Sequence, residues 1–131
     1  MTVLVGYIPT PEGAAALDRA IVEARSRSAK LVVVNASRGD VFVDDRFVQS
    51  DGVEALRKRL DGEDVAYELF QPIGGHDSAD EVLDAAEQHG AELIVIGLRR
   101  RTPVGKLIMG STAQRILLQA ECAVLAVKAA K

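Results

Sequence analysis

The stretch GLRRRTPVGKLIMGST, residues 97–112, gathers groups suited to holding an anion. Gly97 ends the apolar run ELIVIG, and Arg99, Arg100, Arg101 and Lys106 follow within a short span. Gly110, Ser111 and Thr112 then lead into an apolar helical pattern. Glycine lets a backbone come close to a ligand, and the free N–H groups of a helix start point at negative charge. Hydroxyls and guanidinium groups add further donors for phosphate oxygens. A plainer reading makes Ser111 a helix cap and leaves the arginines hydrated at the surface. Spacing alone leaves both readings open.

Charge distribution isolates this segment. The chain of 131 residues carries −3 overall. Between Leu93 and Ala120 it has five basic residues and no acidic one, so the remainder carries −8. A modest negative total gives no footprint for nucleic acid or for an anionic membrane. The segment is not a Walker A loop. The position five residues before Gly105 holds Arg100, and Leu107 follows Lys106 where Ser or Thr is required. A G-x-G-x-x-G dinucleotide fingerprint is absent as well.

Other chemistry-bearing residues have simpler explanations. His76, Asp77 and Ser78 are triad types in a row, but triads are assembled in space, and helix capping accounts for Asp77 and Ser78. Asp40, Asp44 and Asp45 lack the alternation of a calcium loop, so no metal site is expected. His89 precedes a helix-ending Gly90, where a basic group suits the dipole. Cys122 is the only cysteine and lies in an apolar run, which suits a small buried hydrophobe in a reducing interior. No catalytic residue is assigned, and the chain is not expected to be an enzyme.

These residues are positioned by alternating apolar runs and helical patterns. TVLVGY (2–7), KLVVVNA (30–36), VAYELF (65–70), ELIVIG (92–97) and CAVLAV (122–127) read as strands. Helices are expected from Glu12 to Ser28, after the Asp51/Glu54 capping box, after Ser78/Glu81 and after Ser111, with Ile116, Leu117 and Ala120 inward in the last. The stretch SRGDVFVDDRFVQ (37–49) reads as a long loop. Such alternation predicts a single α/β domain over 1–131. The expected sheet is doubly wound, flavodoxin- or Rossmann-like, with five parallel strands in the order 3-2-1-4-5 or the related 2-1-3-4-5. Ligands in such sheets bind beyond the strands' carboxyl ends where the order reverses, which places the basic loop at the crevice. Either order leaves strand five at an edge, and an edge as apolar as Cys122–Val127 predicts pairing with a second copy in a two-fold dimer. The amino terminus has no basic region followed by a long apolar stretch, and no apolar run reaches about 18 residues, so a soluble cytoplasmic protein is expected.

Over essentially its whole length the chain resembles the single-domain universal stress proteins. VLVGY…EGAAALDRAI, AELIVIG and STAQRILLQAECAVLAVK are similar to the family consensus. The family pattern G-x2-G-x9-G-(S/T) is matched by Gly97 and by Gly110-Ser111, with Arg100 standing in the place of the second glycine. The family has ATP-binding and non-binding branches. The resemblance implies nucleotide contacts from Ala36 and Ile96 near the base, from Gly97, Arg99 and Arg100 in the loop, and from Gly110, Ser111 and Thr112 on the phosphates. Where ATP binders carry an aspartate after the first strand, Ile8 stands here. The implied function is a stress-response module that retains ATP or another adenine nucleotide. A protein-interaction module without a nucleotide and a small flavodoxin-like enzyme are the alternatives.

Overall fold

Three apolar runs of this chain are hydrophobic at every position that must face a layer of helices, and they form the middle of one sheet. The computed structural model describes residues 1–8, 10–35, 54–70, 78–98 and 111–128. Strands β1 (Thr2–Tyr7), β2 (Lys30–Asn35), β3 (Tyr67–Phe70), β4 (Leu93–Leu98) and β5 (Ala123–Lys128) are parallel throughout and lie in the order β3-β2-β1-β4-β5. Leu31 lies opposite Val3, and Val3 lies opposite Leu93, so β1 is enclosed by apolar neighbours on both sides. The chain winds outward from β1 to β3 and then returns across β1 to place β4 on its other flank. That return puts the switch in strand order between β1 and β4.

Alternate residues serve two cores. Val3, Val5, Leu31, Val33, Leu93 and Val95 pack with α1 (Pro11–Ser26) and with α2, a helix running through 54–61. Leu4, Val32, Val34, Ile94 and Ile96 pack with α3 (Ser78–His89) and α4 (Ser111–Gln119). Full burial of one such side chain contributes about 1.5–3 kcal/mol, which makes the continuous apolar runs of β1, β2 and β4 the main source of cohesion. Helix α1 presents Ala16, Ala20 and Ala24 at four-residue spacing, and these small side chains let it lie close to the sheet.

The helix ends follow local chemistry. Thr10 is the α1 cap and accepts the Gly13 N–H at 3.1 Å, with Pro11 as the first helical residue. Helix α3 ends at Gly90, whose φ is +60°, and the Ala91 N–H closes on the Ala86 carbonyl at 2.9 Å. Some bounds differ from the sequence pattern. β3 begins at Tyr67 and not at Val65, and Ser111 is already the first residue of α4. Leu117 is 37 % exposed, so in this short helix Ile116 and not Leu117 supplies the buried anchor. The 37–49 loop and the Asp51 cap lie outside the described residues.

Candidate functional site

The expected crevice falls at the switch in strand order, where β1 and β4 end side by side and α1 begins over them. From Tyr7 the chain turns through Ile8 to Thr10, whose N–H donates to the Ile8 carbonyl at 2.8 Å. The Thr10 hydroxyl and carbonyl then accept the N–H groups of Gly13 and Ala14, at 3.1 and 2.9 Å. So tight a reversal leaves no space at Gly13. A Cβ there would stand 1.8 Å from the Ile8 carbonyl oxygen.

Gly97 is the second close approach. It precedes the last residue of β4, pairs with Val127 of β5 and lies under the first turn of α1. A Cβ on Gly97 would meet the Glu12 carbonyl oxygen at 2.3 Å and the Glu12 Cβ at 3.0 Å. The first glycine of the motif therefore holds helix against strand. Glu12, lying across it, is only 7 % exposed.

The expected site residues separate into groups. Gly97 faces α1, whereas Ile96 points to the opposite side of the sheet and is closed into the α3–α4 core at 5 % exposure. Ser111 opens α4, and Thr112 follows it half-buried in the first turn. Ala36, Arg99, Arg100 and Gly110 lie outside the described residues, as do Asp40, Asp44, Asp45, His76 and Asp77. Of the basic residues between Leu93 and Ala120, Arg115 is described. Its guanidinium donates to Asp80 and ties α4 to the first turn of α3. Arg115 is thus a clamp between two helices.

Two residues of the crevice escaped the sequence reading. Gly13, a glycine in the first turn of a helical pattern, carried a usable signal, because such a residue weakens the helix unless something approaches closely. Glu12 carried none, since an acid in a first turn ordinarily complements the helix dipole from the surface. Elsewhere, burial pushes the Cys122 thiol above its ordinary pKa, with a backbone hydrogen bond opposing, which disfavours the thiolate a nucleophile needs. Among the described residues no group of three His, Cys, Asp or Glu could hold a metal ion, and no helix is long and apolar enough to cross a membrane.

Comparison with known proteins gives a consistent result. The model of the universal stress protein family matches residues 1–128. A universal stress protein of Mycolicibacterium smegmatis is 46 % identical over 126 residues, covering 96 % of each chain. A universal stress protein from Archaeoglobus fulgidus superposes with a TM-score of 0.78 at 28 % identity, covering 97 % of both chains. A further structure of the universal stress protein from that organism, in complex with dAMP, has a TM-score of 0.72 at 22 % identity and covers 97 % of this chain and 96 % of its own.

Proposed function

The chain belongs to the universal stress protein family, and from that premise we propose that it is a single-domain, homodimeric regulatory module that holds an adenine nucleotide. The observation that carries this reading is the crevice itself. Gly97 brings the end of β4 directly under α1, and α4 starts at Ser111, a helix start being a place whose N–H groups suit an anion. The dAMP bound by the A. fulgidus protein supports an adenine nucleotide as the ligand class, with ATP as one member to test. In this reading Gly110, Ser111 and Thr112 receive the phosphates, Arg99 and Arg100 flank them, and Ala36 and Ile96 border the base. Nucleotide is retained and not turned over, and the protein acts in the cytoplasm.

A thermal-shift series with ATP, ADP and AMP tests the reading. Ligand at 100 times its Kd stabilises by about 2.7 kcal/mol, which is easily seen as a rise in Tm. No shift with any of the three at millimolar concentration overturns it. Release of phosphate from bound ATP would overturn retention alone.

A second reading, an interaction module without nucleotide, is favoured by two positions. Ile8 offers no polar group at the end of β1, and Ile96 is enclosed by the core. The dimer belongs to both readings. β5 lies at the sheet edge with Val124, Leu125 and Val127 only partly buried, and the preceding α4 leaves Leu118 82 % exposed. Edge pairing of two copies would cover both. A monomer mass at micromolar concentration overturns it.

A further inference from the structure

The stretch 54–70, which carries α2 and β3, is attached to the sheet differently from its neighbours. Leu56 and Leu60 are the only buried side chains it supplies, and no residue of β3 is buried. Helix α1 buries seven residues and β1 and β4 bury four each, so apolar burial holds 54–70 far less firmly. The other edge strand, β5, is apolar on both faces, with Leu125 and Val127 against one core and Val124 and Ala126 against the other. β3 places Tyr67 and Leu69 against one core but turns Glu68 and Phe70 to the opposite face, where Phe70 is 37 % exposed.

Ion pairs take the place of the missing apolar contacts. Arg59 of α2 pairs with Asp18 of α1, and Glu63 pairs with Arg25 of α1 at 2.7 Å. Glu68 of β3 pairs with Lys30 of β2 at 2.5 Å, and His89 at the end of α3 stands 3.8 Å from the same carboxylate. All of these groups are partly exposed. The Tyr67 hydroxyl donates to Asp61 at 2.6 Å, a bond internal to the stretch that ties β3 to α2. Contiguous pieces with little buried surface open separately from the rest of a fold. Exposed charge pairs are screened by salt, the Debye length falling from about 10 Å at 0.1 M to about 3 Å at 1 M, whereas apolar contacts are not.

We propose that residues 54–70 form an ionic-strength-sensitive cover over the outer edge of β2, opening as one piece while α1, β1 and β4 stay folded. Opening bares the flank of Leu31–Val34 that pairs with β3, a row of backbone donors and acceptors on a strand whose side chains are buried.

The test is amide hydrogen exchange at about pH 8, where an ordinary histidine is neutral, in about 0.1 M and about 1 M NaCl. Wild type is compared with the triple variant Asp18→Asn, Glu63→Gln and Glu68→Gln. In low salt the wild-type amides of α2 and β3 should exchange at least about 10-fold faster than those of β1 and β4, after correction for intrinsic rates. High salt should speed α2 and β3 a further 3- to 10-fold or so and leave β1 and β4 unchanged. The triple variant should exchange in low salt as the wild type does in high salt, and should ignore further salt. If the triple variant does not fold, Glu63→Gln alone should show part of the same change. Equal protection of 54–70, β1 and β4 in both salts overturns the separate cover. Faster exchange of 54–70 that ignores salt in the wild type, or that is unchanged in the variants, overturns fastening by these pairs.

Discussion

The two ends of the sheet are built on different principles. At the carboxyl ends of β1 and β4, backbone presses on backbone. Gly13 sits against the Ile8 carbonyl and Gly97 against the Glu12 carbonyl, with distances that admit no side chain. At the amino ends, long side chains join neighbouring segments across the surface. Arg25 pairs with Glu63 at 2.7 Å, Arg27 with Glu92 at 3.1 Å and Lys30 with Glu68 at 2.5 Å, all partly exposed. Close backbone contacts have one solution, whereas exposed ion pairs are adjustable and individually weak. Among the described residues, the seat of α1 on the ends of β1 and β4 is consequently the contact least able to adjust. The opposite end tolerates change.

Substitutions can break this contrast. The largest effect is expected for Gly13→Ala, where the added methyl stands against main chain that cannot move without unseating the α1 cap. A loss of about 4 kcal/mol is expected in denaturant unfolding. Gly97→Ala should follow with a loss of about 2–3 kcal/mol and with loss of the AMP-induced thermal shift, because α1 must lift from β4. If both variants unfold like the wild type, the crevice is not rigid in the way described.

At the other end the sign reverses. Ser28 follows α1 with φ +52°, the left-handed conformation usually given to glycine, and the Ala29 N–H closes on the Ala24 carbonyl at 2.8 Å. Ser28→Gly is expected to stabilise by about 0.5–1 kcal/mol without altering nucleotide binding. The smallest effect belongs to Lys30→Met. The Lys30 ammonium, hydrogen-bonded to Glu68, holds that carboxyl below its ordinary pKa, with burial opposing and His89 adding slightly. A folded-state pKa below the unfolded one gives stability that is present above the ordinary carboxylate range and fades as pH falls through the folded value. The Tm difference between wild type and Lys30→Met should accordingly be small at about pH 7 and fade as pH falls below the ordinary glutamate range. A difference that grows in acid would contradict the pairing.

Much of the crevice was legible, but with a different meaning for its residues. Gly97 was recognisable from its place at the end of ELIVIG, yet the spacing suggested room for a ligand, and the structure shows contact with α1. The resemblance sets Ile96 near the base, next to Gly97 in the chain. On a strand, adjacent residues face opposite sides, which places Ile96 in the other core. Arg115 counted among the basic residues of the segment, and its engagement with Asp80 depends on α3 and α4 meeting.

Alternation of five strands with helices, and hence a parallel doubly wound sheet, was readable along the chain, because apolar period and local capping are properties of short stretches. The choice of the order 3-2-1-4-5 over 2-1-3-4-5 belongs to the folded sheet. The sequence by itself also determined the family, through matches spread over the whole chain. Packing alone sets α1 on the end of β4 at Gly97, which lacks a side chain, and carries Glu12 inside with that contact. Both depend on distances between residues separated by more than eighty positions along the chain, which no local pattern encodes.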